Sequence, residues 1–465
     1  MTSRTKIRRV LVANRGEIAV RIVRACRQED LEAIVAASEA DKDSLAARLA
    51  TDVVHIGPAS PTQSYLRVEQ IVAGALLTCC DAVHPGYGFL SERADLAEAC
   101  AANGLIFVGP CVDTIRRGGD KVEARRVARA AGVPTGAGSD AVGGADAALA
   151  IADGIGYPIL LKAAAGGGGR GMVRIDSPGD LAVRFATASG EADAAFGDGR
   201  LYVERYVENA RHVEVQLLGD HHGGLVHLGD RDCSTQRRFQ KLVEEAPATA
   251  LSGELRHRLA DAAVALGRAL DYRGAGTVEF LVDLDRHDFT FLEINTRVQV
   301  EHPVTEMVTG VDIVREQLRV AAGERLSVSQ DDVSITGHAI ECRINAESVA
   351  GGFLPSPGTI TRWVPPAGDH IRVDSHAFAG YEVSPYYDSL IAKLIVRGAD
   401  RPDTIAASLD ALDRFEIEGV ETTRDLQRAV LSHDDFRNEA INTRWLETTL
   451  LPSMTTATAE ESTVG

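Results

Sequence analysis

At 465 residues the chain is too long for one ordinary hydrophobic core, and it is long enough to enclose a cleft between domains. Its 49 Lys and Arg residues against 67 Asp and Glu residues give a net charge of −18, which disfavours a nucleic-acid partner. Seven cysteines without a CxxC pair predict neither a disulfide framework nor a zinc site. The basic start lacks an apolar signal core and no apolar run reaches membrane-spanning length, so we expect a soluble cytoplasmic protein.

The N-terminal part alternates short apolar strands with amphipathic helices, and this alternation predicts a doubly wound, mostly parallel α/β sheet. The predicted strands are 10–13, 33–37, 53–56, 82–84 and 106–108, with helical patterns at 18–27 and 91–102. The segments 14–17 and 84–88 fall at the carboxyl ends of strands, where such sheets bind ligands. Taken alone, their Gly and Pro residues favour ordinary turns.

A lid over a ligand is predicted in the middle of the chain. A basic helix at 121–131 leads into a small-residue stretch ending at Gly144, where the change of composition indicates a domain boundary. The strands 159–162 and 172–175 then enclose a glycine loop at 166–171, which predicts a hairpin. Glycine backbone can close its amides over phosphate oxygens, and this use is favoured over a plain linker.

The predicted phosphate-binding segment is neither a Walker loop nor a GxGxxG dinucleotide-binding motif. Lys162 supplies a cation beside the glycine loop, but no lysine in the chain follows a glycine, which excludes a Walker loop. No GxGxxG opens the first helix, which excludes a dinucleotide fold. Long antiparallel-type strands follow the lid, strand patterning resumes at His338, and the tail from Pro452 is predicted to be disordered. The charged segment 230–241 is by itself typical of a solvated surface.

Two strand-like runs around the polar turn 285–288 carry a carboxylate pair. If the runs form a hairpin, Glu279 and Glu293 are equidistant from Arg286 and face each other across the ladder. Two carboxylates at that spacing repel unless a cation lies between them, and Asn295 projects from the same face. Hard oxygen ligands suit Mg²⁺, so metal ligation is favoured over two solvated glutamates.

The residues that follow predict an anion-binding wall. In an extended segment Asn295, Arg297, Gln299 and Glu301 share one face, so a metal ligand, a cation and a carboxylate would lie side by side. Such a wall can hold a small oxyanion and take its proton. His302 falls on the opposite face, before a proline, and is better interpreted as structural.

Together these motifs resemble the biotin carboxylases of acetyl-CoA carboxylase and related biotin-dependent carboxylases. The resemblance runs from about Ile7 to Leu446. It is carried by ANRGEIA at 13–19, HPGYGFLSE at 84–92, RDCS at 231–234, the segment 293–306 and ECRINAE at 341–347. It implies an α/β and α+β fold with a preATP-grasp domain at 1–118, an ATP-grasp core at 119–335 with a lid at about 138–207, a C-terminal biotin carboxylase domain at 336–450 and a disordered tail at 451–465.

The resemblance also implies residue roles, position by position. ATP would contact Lys121, Lys162, Gly168, Gly169, the hinge Glu204, Arg205, Tyr206 and Val207, and then His212, Gln236 and Phe239. Two Mg²⁺ or Mn²⁺ ions would be held by Glu279, Glu293 and Asn295. Bicarbonate would contact Lys241, Arg297, Gln299 and Val300, with Glu301 as the general base. Biotin would lie against Tyr87 and Gly88, with Arg343 at its ureido oxygen.

Some positions depart from the family pattern. Phe239 stands where many members have a polar His or Asn, so one hydrogen bond to the nucleotide is in doubt. Gln28 and Asp369 differ from the residues of the bacterial dimer contact, while Arg24 and Arg372 remain. The resemblance still implies a homodimer.

The implied reaction is the ATP-dependent carboxylation of biotin by bicarbonate through carboxyphosphate. The biotin is expected on a separate biotin carboxyl carrier protein, with a carboxyltransferase as a further partner, because no Met-Lys-Met biotinylation site occurs. Acetyl-CoA, for fatty acid synthesis, is the expected final acceptor, and pyruvate or propionyl-CoA are alternatives. Another ATP-grasp ligase is a further alternative, which the segments around Tyr87 and Arg343 disfavour. A nucleotide-binding regulator that has lost catalysis is disfavoured by the intact residues Glu279, Glu293, Arg297, Glu301 and Arg343.

Overall fold

A computed structural model describes residues 7–139, 141–165 and 171–454. The N-terminal strands are β1 (Arg9–Val12), β2 (Glu32–Ser38), β3 (Asp52–Gly57), β4 (Ala82–His84) and β5 (Ile106–Phe107). The helices between and after them are α1 (Gly16–Gln28), α2 (Leu45–Leu49), α3 (Val68–Leu77), α4 (Ala94–Ala102) and α5 (Val112–Gly119). The five strands form a parallel sheet in the order β3-β2-β1-β4-β5, which confirms the predicted doubly wound arrangement.

The loops after β1 and β4 meet at one edge of this sheet, because the two strands are neighbours and parallel. The side-chain amide of Asn14 donates to the carbonyls of Pro85 and Tyr87 at 2.6 and 2.7 Å. Gly86 lies against this amide at φ +64°, and a Cβ there would come within 2.8 Å of Asn14 Nδ2. The two segments that the sequence predicts as turns are therefore joined to each other by hydrogen bonds.

A small antiparallel sheet follows α6 (Lys121–Ala130). Its elements in chain order are α7 (Ala145–Ile155), β6 (Ile159–Ala163), β7 (Met172–Ile175), α8 (Pro178–Phe196) and β8 (Leu201–Arg205). β6 pairs with β7 as predicted, and β8 completes the sheet on the other side of β6. Helices α7 and α8 cover it with apolar residues, among them Ala148, Ala152 and Leu181. Gly168 and Gly169 of the predicted loop lie outside the described residues.

The rest of the chain is organised around one large sheet. Its elements are β9 (Ala210–Gly219), β10 (Leu225–Arg237), β11 (Gln240–Ala246), α9 (Gly253–Ala269), β12 (Gly274–Asp283), β13 (Asp288–Asn295), α10 (His302–Thr309) and α11 (Ile313–Ala321), then β14 (His338–Asn345). The remaining elements are β15 (Glu347–Ser348), β16 (Leu354–Pro355), β17 (Gly358–Thr359), β18 (Arg362–Val364), β19 (Ile371–Ser375), β20 (Glu382–Val383), β21 (Leu390–Gly398), α12 (Arg401–Arg414), β22 (Glu416–Glu418), α13 (Arg424–Ser432) and α14 (Asp434–Arg437).

Eight of these strands form a continuous antiparallel sheet in the order β13-β12-β9-β10-β11-β14-β21-β19. The junction between its two halves is the pairing of β11 with β14, where Glu244 lies opposite Glu341. Leu242 and Val243 of β11 belong to the same apolar core as Phe415 and Val430 of the C-terminal helices. The C-terminal part is therefore joined to the middle of the chain through both backbone pairing and a shared core. No helix in the described part of the chain has the length and apolarity needed to cross a membrane.

Candidate active site

A cavity of about 1130 Å³ lies between the N-terminal loops, the small sheet and the large sheet. Most of the residues singled out from the sequence line it: Tyr87, Gly88, Lys121, Lys162, Tyr206, Val207, His212, Gln236, Phe239, Lys241, Glu279, Glu293, Asn295, Arg297, Gln299, Val300, Glu301 and Arg343. Among the described residues, Glu204 and Arg205 are adjacent to this lining without being part of it.

The carboxylate pair lies on the hairpin of β12 and β13, where Glu279 is opposite Glu293 as predicted. The register has a cause that the sequence did not show. From the turn outward Asp283 pairs with Asp288 and Phe280 with Phe291, so regular continuation would place Leu292 opposite Glu279. A β-bulge between Glu279 and Phe280 shifts the register by one residue and brings Glu293 to that place instead.

Glu279 is buried and receives donors from every side. The amides of Asn295 and Gln299 donate to its Oε1, each at 2.9 Å, and Lys241 Nζ donates at 3.1 Å. His212 Nε2 lies 2.9 Å from its Oε2. Burial alone would raise the pKa of Glu279, but Lys241 and His212 hold it well below its usual value. Glu279 is therefore an anion.

Glu293, the second carboxylate, is more exposed and pairs with Lys121 at 2.9 Å. Two carboxylates and the Asn295 amide oxygen make a hard oxygen donor set, and both carboxylates already attract cationic side chains. The residues present therefore fit a divalent cation such as Mg²⁺.

Lys241 connects this carboxylate pair to the rest of the cavity. Its Nζ donates to Glu214 and Glu301 at 2.6 Å each, in addition to Glu279. Burial would lower the pKa of Lys241, but the anionic groups around it raise it well above its usual value. The ammonium group is therefore charged and held by three carboxylates.

Arg231 binds the same cluster. It corrects the interpretation of segment 230–241 as a solvated surface for residues 230–236, which are buried, whereas residues 238–240 are exposed. The Arg231 side chain is fully buried, with Nε 2.5 Å from Glu214. Its remaining donors reach Gln216, Thr305 and Thr277. A buried arginine with all these partners fixes β9, β10 and β12 relative to one another.

Glu301 is shared between two cations. Lys241 donates to its Oε1, and Arg343 Nη2 donates to its Oε2 at 3.1 Å. Arg343 Nε also donates to Glu244 at 2.6 Å. Burial would raise the pKa of Glu301, but Lys241, Arg343 and Arg231 hold it well below its usual range. Glu301 is thus an ionised acceptor between the carboxylate pair and Arg343.

Arg297 forms the predicted wall, although the strand itself ends at Asn295 and the following residues bend. Its Nη1 donates to Gln299 Oε1 and its Nη2 to Asn295 Oδ1, each at 3.0 Å, and Glu92 lies 3.0 Å from its Nε. His302 is buried at the start of α10, with Nδ1 2.8 Å from the Gln299 carbonyl, which agrees with its structural interpretation. The side chains therefore converge through a bent backbone and not through an extended one.

At the other end of the cavity Lys162 contacts Glu204, which also contacts Arg125. Burial, Lys121 and Arg125 lower the pKa of Lys162 to about 7, and the Glu293 carboxylate acts in the opposite direction. Burial would also lower the pKa of Lys121, but Glu293 raises it above its usual value. A bound polyanion would favour the charged form of both lysines, so this cationic end of the cavity suits one.

The sequence missed several charged groups of the site. Glu214 and Glu244 lie on strands that look half-solvated by alternation, yet both are fully buried. Lys393 is also fully buried and donates to the Val300 carbonyl at 2.7 Å. A lone lysine in the apolar run 390–396 was a usable signal for Lys393. The two glutamates offered no such signal, because their partners come from other strands.

Three protein-family models match successive parts of the chain. Residues 6–115 match the model described as the N-terminal domain of biotin carboxylase, and residues 341–448 match that of its C-terminal domain. Residues 120–329 match the ATP-binding domain of the carbamoyl-phosphate synthase L chain. The chain is 49% identical over 443 residues to biotin carboxylase 1 of Bacillus subtilis, which covers 95% of this chain and 98% of that protein.

The chain belongs to the biotin carboxylase family. It is an ATP-grasp enzyme, and the preATP-grasp, ATP-grasp and C-terminal parts expected from the sequence are confirmed as its fold. The carbamoyl-phosphate synthase match of the central part reflects an ATP-binding domain that the two families share, whereas the flanking matches separate them.

Solved structures and a further relative by sequence support the same family assignment. A biotin carboxylase from Campylobacter jejuni has a TM-score of 0.93 at 47% identity and covers 95% of this chain and 99% of its own. The biotin carboxylase domain dimer of 2-oxoglutarate carboxylase from Hydrogenobacter thermophilus, solved with MgADP, ADP and bicarbonate, has a TM-score of 0.91 at 45% identity, covering 95% and 97%. A pyruvate carboxylase component from Methanothermobacter thermautotrophicus is 46% identical over 440 residues, 94% of this chain and 89% of that protein.

Proposed function

We propose that this biotin carboxylase uses MgATP and bicarbonate to carboxylate biotin through carboxyphosphate. The observation that carries the proposal is the unbroken series of contacts from Glu279 through Lys241 and Glu301 to Arg343. We infer from this series that Lys241 binds an anion, Glu301 is the base and Arg343 supplies a guanidinium, and all three line one cavity. The MgADP and bicarbonate in a related structure support the same set of substrates.

The nucleotide would lie at the cationic end. Lys121 and Lys162 would contact the phosphates, and the hinge from Glu204 to Val207 would meet the adenine largely through its backbone. His212, Gln236 and Phe239 line the same cavity, and we infer that they would lie near the sugar. Mg²⁺ held by Glu279, Glu293 and Asn295 would neutralise charge that develops on the phosphates.

Bicarbonate would bind between Lys241 and Arg297, with Gln299 and the Val300 backbone completing the site. Glu301 would accept its proton, so that the bicarbonate oxygen attacks the terminal phosphorus of ATP and ADP leaves. A base with so low a pKa is weak in the resting enzyme. An arriving anion that draws Lys241 toward itself would strengthen Glu301 as a base.

Biotin would be carboxylated at the Arg343 end. Carboxyphosphate breaks down to CO₂ and phosphate, the phosphate removes a proton from the ureido nitrogen, and that nitrogen attacks CO₂. Arg343 would stabilise the negative charge on the ureido oxygen. Tyr87 and Gly88 border this end, and the Tyr87 hydroxyl donates to Glu17, which fixes the ring.

The physiological partners form a finer part of the proposal. We infer that biotin arrives on a carrier protein, that a carboxyltransferase completes the reaction, and that acetyl-CoA is the final acceptor, in fatty acid synthesis. Relatives named for pyruvate and 2-oxoglutarate carboxylases keep the other acceptors open. Assay of carboxylation with each candidate acceptor and its carboxyltransferase would discriminate between them.

The assembly, domain limits and compartment are proposed as well. A homodimer is supported by the dimeric state named for a related domain, and the outer face of α1 leaves Arg24 and Gln28 exposed for a contact. Arg372 is engaged within the chain by Glu306 and Asp374. Domain limits after residues 118, 335 and 450 remain our proposal. Seven unpaired cysteines support a cytoplasmic location.

The experiment that tests the division of roles measures ADP release and carboxybiotin on the same samples. Arg343→Ala should preserve most bicarbonate-dependent ADP release and reduce carboxybiotin by roughly 10²-fold to 10³-fold, the usual loss for one oxyanion partner. Glu301→Gln should depress both. Arg362→Ala, which removes an exposed arginine outside the cavity, is the matched control. Equal loss of both products in Arg343→Ala would contradict the assignment.

A further inference from the structure

Glu341 is a buried carboxyl group that the reaction described above does not use. It lies on β14 two residues before Arg343, and therefore on the same face of the strand. Its side chain is fully buried, and neither of its oxygens has a hydrogen-bond partner among the described residues. In the ladder it faces Glu244 of β11, so two buried glutamates lie across from each other.

The cations near Glu341 are engaged by other anions. Arg343, on its own strand, binds Glu244 and Glu301. Lys393, on the neighbouring strand β21, donates to the Val300 carbonyl and lies 3.1 Å from Glu17.

The remaining charged groups around β14 do not neutralise Glu341 either. Glu301 approaches from the start of α10 and adds negative charge. His302 of α10 has a pKa well below its usual value, because burial and the cations around it disfavour its charged form. On the opposite face of β11 and β14, Glu245 is neutralised by His338 and Arg401 in a separate cluster. Glu341 is thus surrounded by charge without a counterion of its own.

We propose that Glu341 is a positioning residue, a neutral carboxylic acid that allows Arg343 to stay between Glu244 and Glu301 and face the biotin end of the cavity. An ionised Glu341 would be a further acceptor for Arg343 or Lys393 and would draw one of them away from its present partners. Burial, opposed by Lys393 and reinforced by Glu244, raises the pKa of Glu341 well above its usual value, which supports the neutral form.

The role depends on the proposed function, but the charge state does not, so the first measurement concerns folding alone. If the pKa of a carboxyl group is raised on folding, the protein becomes less stable as pH rises from the pKa in the unfolded state, about 4.3, toward the pKa in the folded state. Glu341→Gln removes that loss. The Tm of Glu341→Gln minus the Tm of the wild type should therefore increase between about pH 5 and pH 8.

A matched control lies one strand away. Glu245 is equally buried but fully paired, and burial opposed by His338 and Arg401 leaves its pKa at about 2. Glu245→Gln should lower Tm throughout pH 5 to 8, because it leaves Arg401 without its carboxylate partner. If Glu341→Gln lowers Tm in the same way, Glu341 is ionised and the proposal is overturned. Glu341→Met is a second neutral variant, and failure of both to fold would also overturn it.

The second measurement tests the positioning role through the yield of carboxybiotin per ADP released. In the wild type this ratio should fall by about tenfold per pH unit once pH rises above the raised pKa of Glu341, as for the loss of one essential proton. In Glu341→Gln the pH at which the ratio begins to decrease should be higher by about one unit or more, or the decrease should be absent. Coincident profiles would overturn the positioning role. If no variant, the wild type included, carboxylates biotin, the proposed function fails with it, while the Tm differences still decide the charge state.

Discussion

Glu301 divides its two oxygens between Lys241 and Arg343, so under the proposed function one carboxylate would connect the bicarbonate end of the cavity with the biotin end. Each contact is a charge-assisted hydrogen bond, and together they keep the carboxylate ionised and oriented. The same contacts make it a poor proton acceptor until one cation moves. Under the proposed function, substrate arrival at either end of the cavity would therefore be coupled to the strength of Glu301 as a base.

A pH prediction follows for Arg343. Removing a neighbouring cation raises the pKa of a carboxyl group, so Arg343→Met should move the acid limb of bicarbonate-dependent ADP release to higher pH, by about one unit. Because the acid limb set by Glu301 lies below about pH 4.5 in the wild type, the measurement is the initial rate of ADP release from about pH 4 to 7 at saturating ATP, with the bicarbonate ion concentration held constant. An unchanged acid limb would mean that Glu301 does not govern this step, and Arg362→Met serves as the control.

The metal assignment has a test at the same scale. Glu293→Gln keeps the size of the side chain but removes one of two paired charges, so the Mg²⁺ concentration for half-maximal ADP release should rise by roughly tenfold, about 1.4 kcal/mol. Titration of Mg²⁺ at fixed ATP measures this. Glu254→Gln, in the exposed first turn of α9, should leave the titration unchanged. Wild-type Mg²⁺ dependence in Glu293→Gln would refute the ligand assignment.

At the scale of elements, β12 is placed by a close contact between Gly276 and Tyr272. The Tyr272 hydroxyl donates to the Ala275 carbonyl, and a Cβ on Gly276 would lie 2.1 Å from that hydroxyl oxygen. Glu279 is three residues farther along the same strand. The position of Glu279, a proposed metal ligand, therefore depends on residue 276 having no side chain.

Gly276→Ala should push Tyr272 out of its place and cost about 1–3 kcal/mol, which lowers Tm by several degrees. It should also raise the Mg²⁺ requirement by moving Glu279. Gly154→Ala in α7 is the control, because a Cβ there meets nothing within 4 Å and a helical alanine is favoured by up to about 1 kcal/mol. Equal Tm in the two variants would show that β12 accommodates the added Cβ without a loss of stability.

The comparison of sequence with structure is clearest for the hairpin of β12 and β13. Alternation and the polar turn predicted the correct pair, Glu279 facing Glu293, but from a regular hairpin centred on Arg286, whereas Asp283 in fact pairs with Asp288. The pair is reached only through a bulge, which the sequence could not predict because a bulge depends on packing from both sides of a strand. Glu214 and Glu244 were missed because their partners are brought together only by the order of strands in the large sheet, whereas the signal for Lys393 was present and not used.

For the whole molecule, the continuous sheet argues against independent folding of its two halves. A chain ending after residue 335 would bare the edge of β11 and expose Leu242 and Val243, which pack in the C-terminal core. We expect that chain to aggregate in size-exclusion chromatography, while a chain ending after residue 454 stays monodisperse and active. A soluble, ATP-cleaving 1–335 fragment would contradict this view.

The pairing of β11 with β14 also constrains how such enzymes can be recombined. Side chains alternate along β14, so a chimera that joins another C-terminal part with a slip of one residue would turn Arg343 into the helix-covered core and present Cys342 to the cavity. A slip of two residues would keep the alternation but move the guanidinium along the strand, away from Glu301. Successful exchange of C-terminal parts between carboxylases must therefore conserve strand register before it conserves any individual contact.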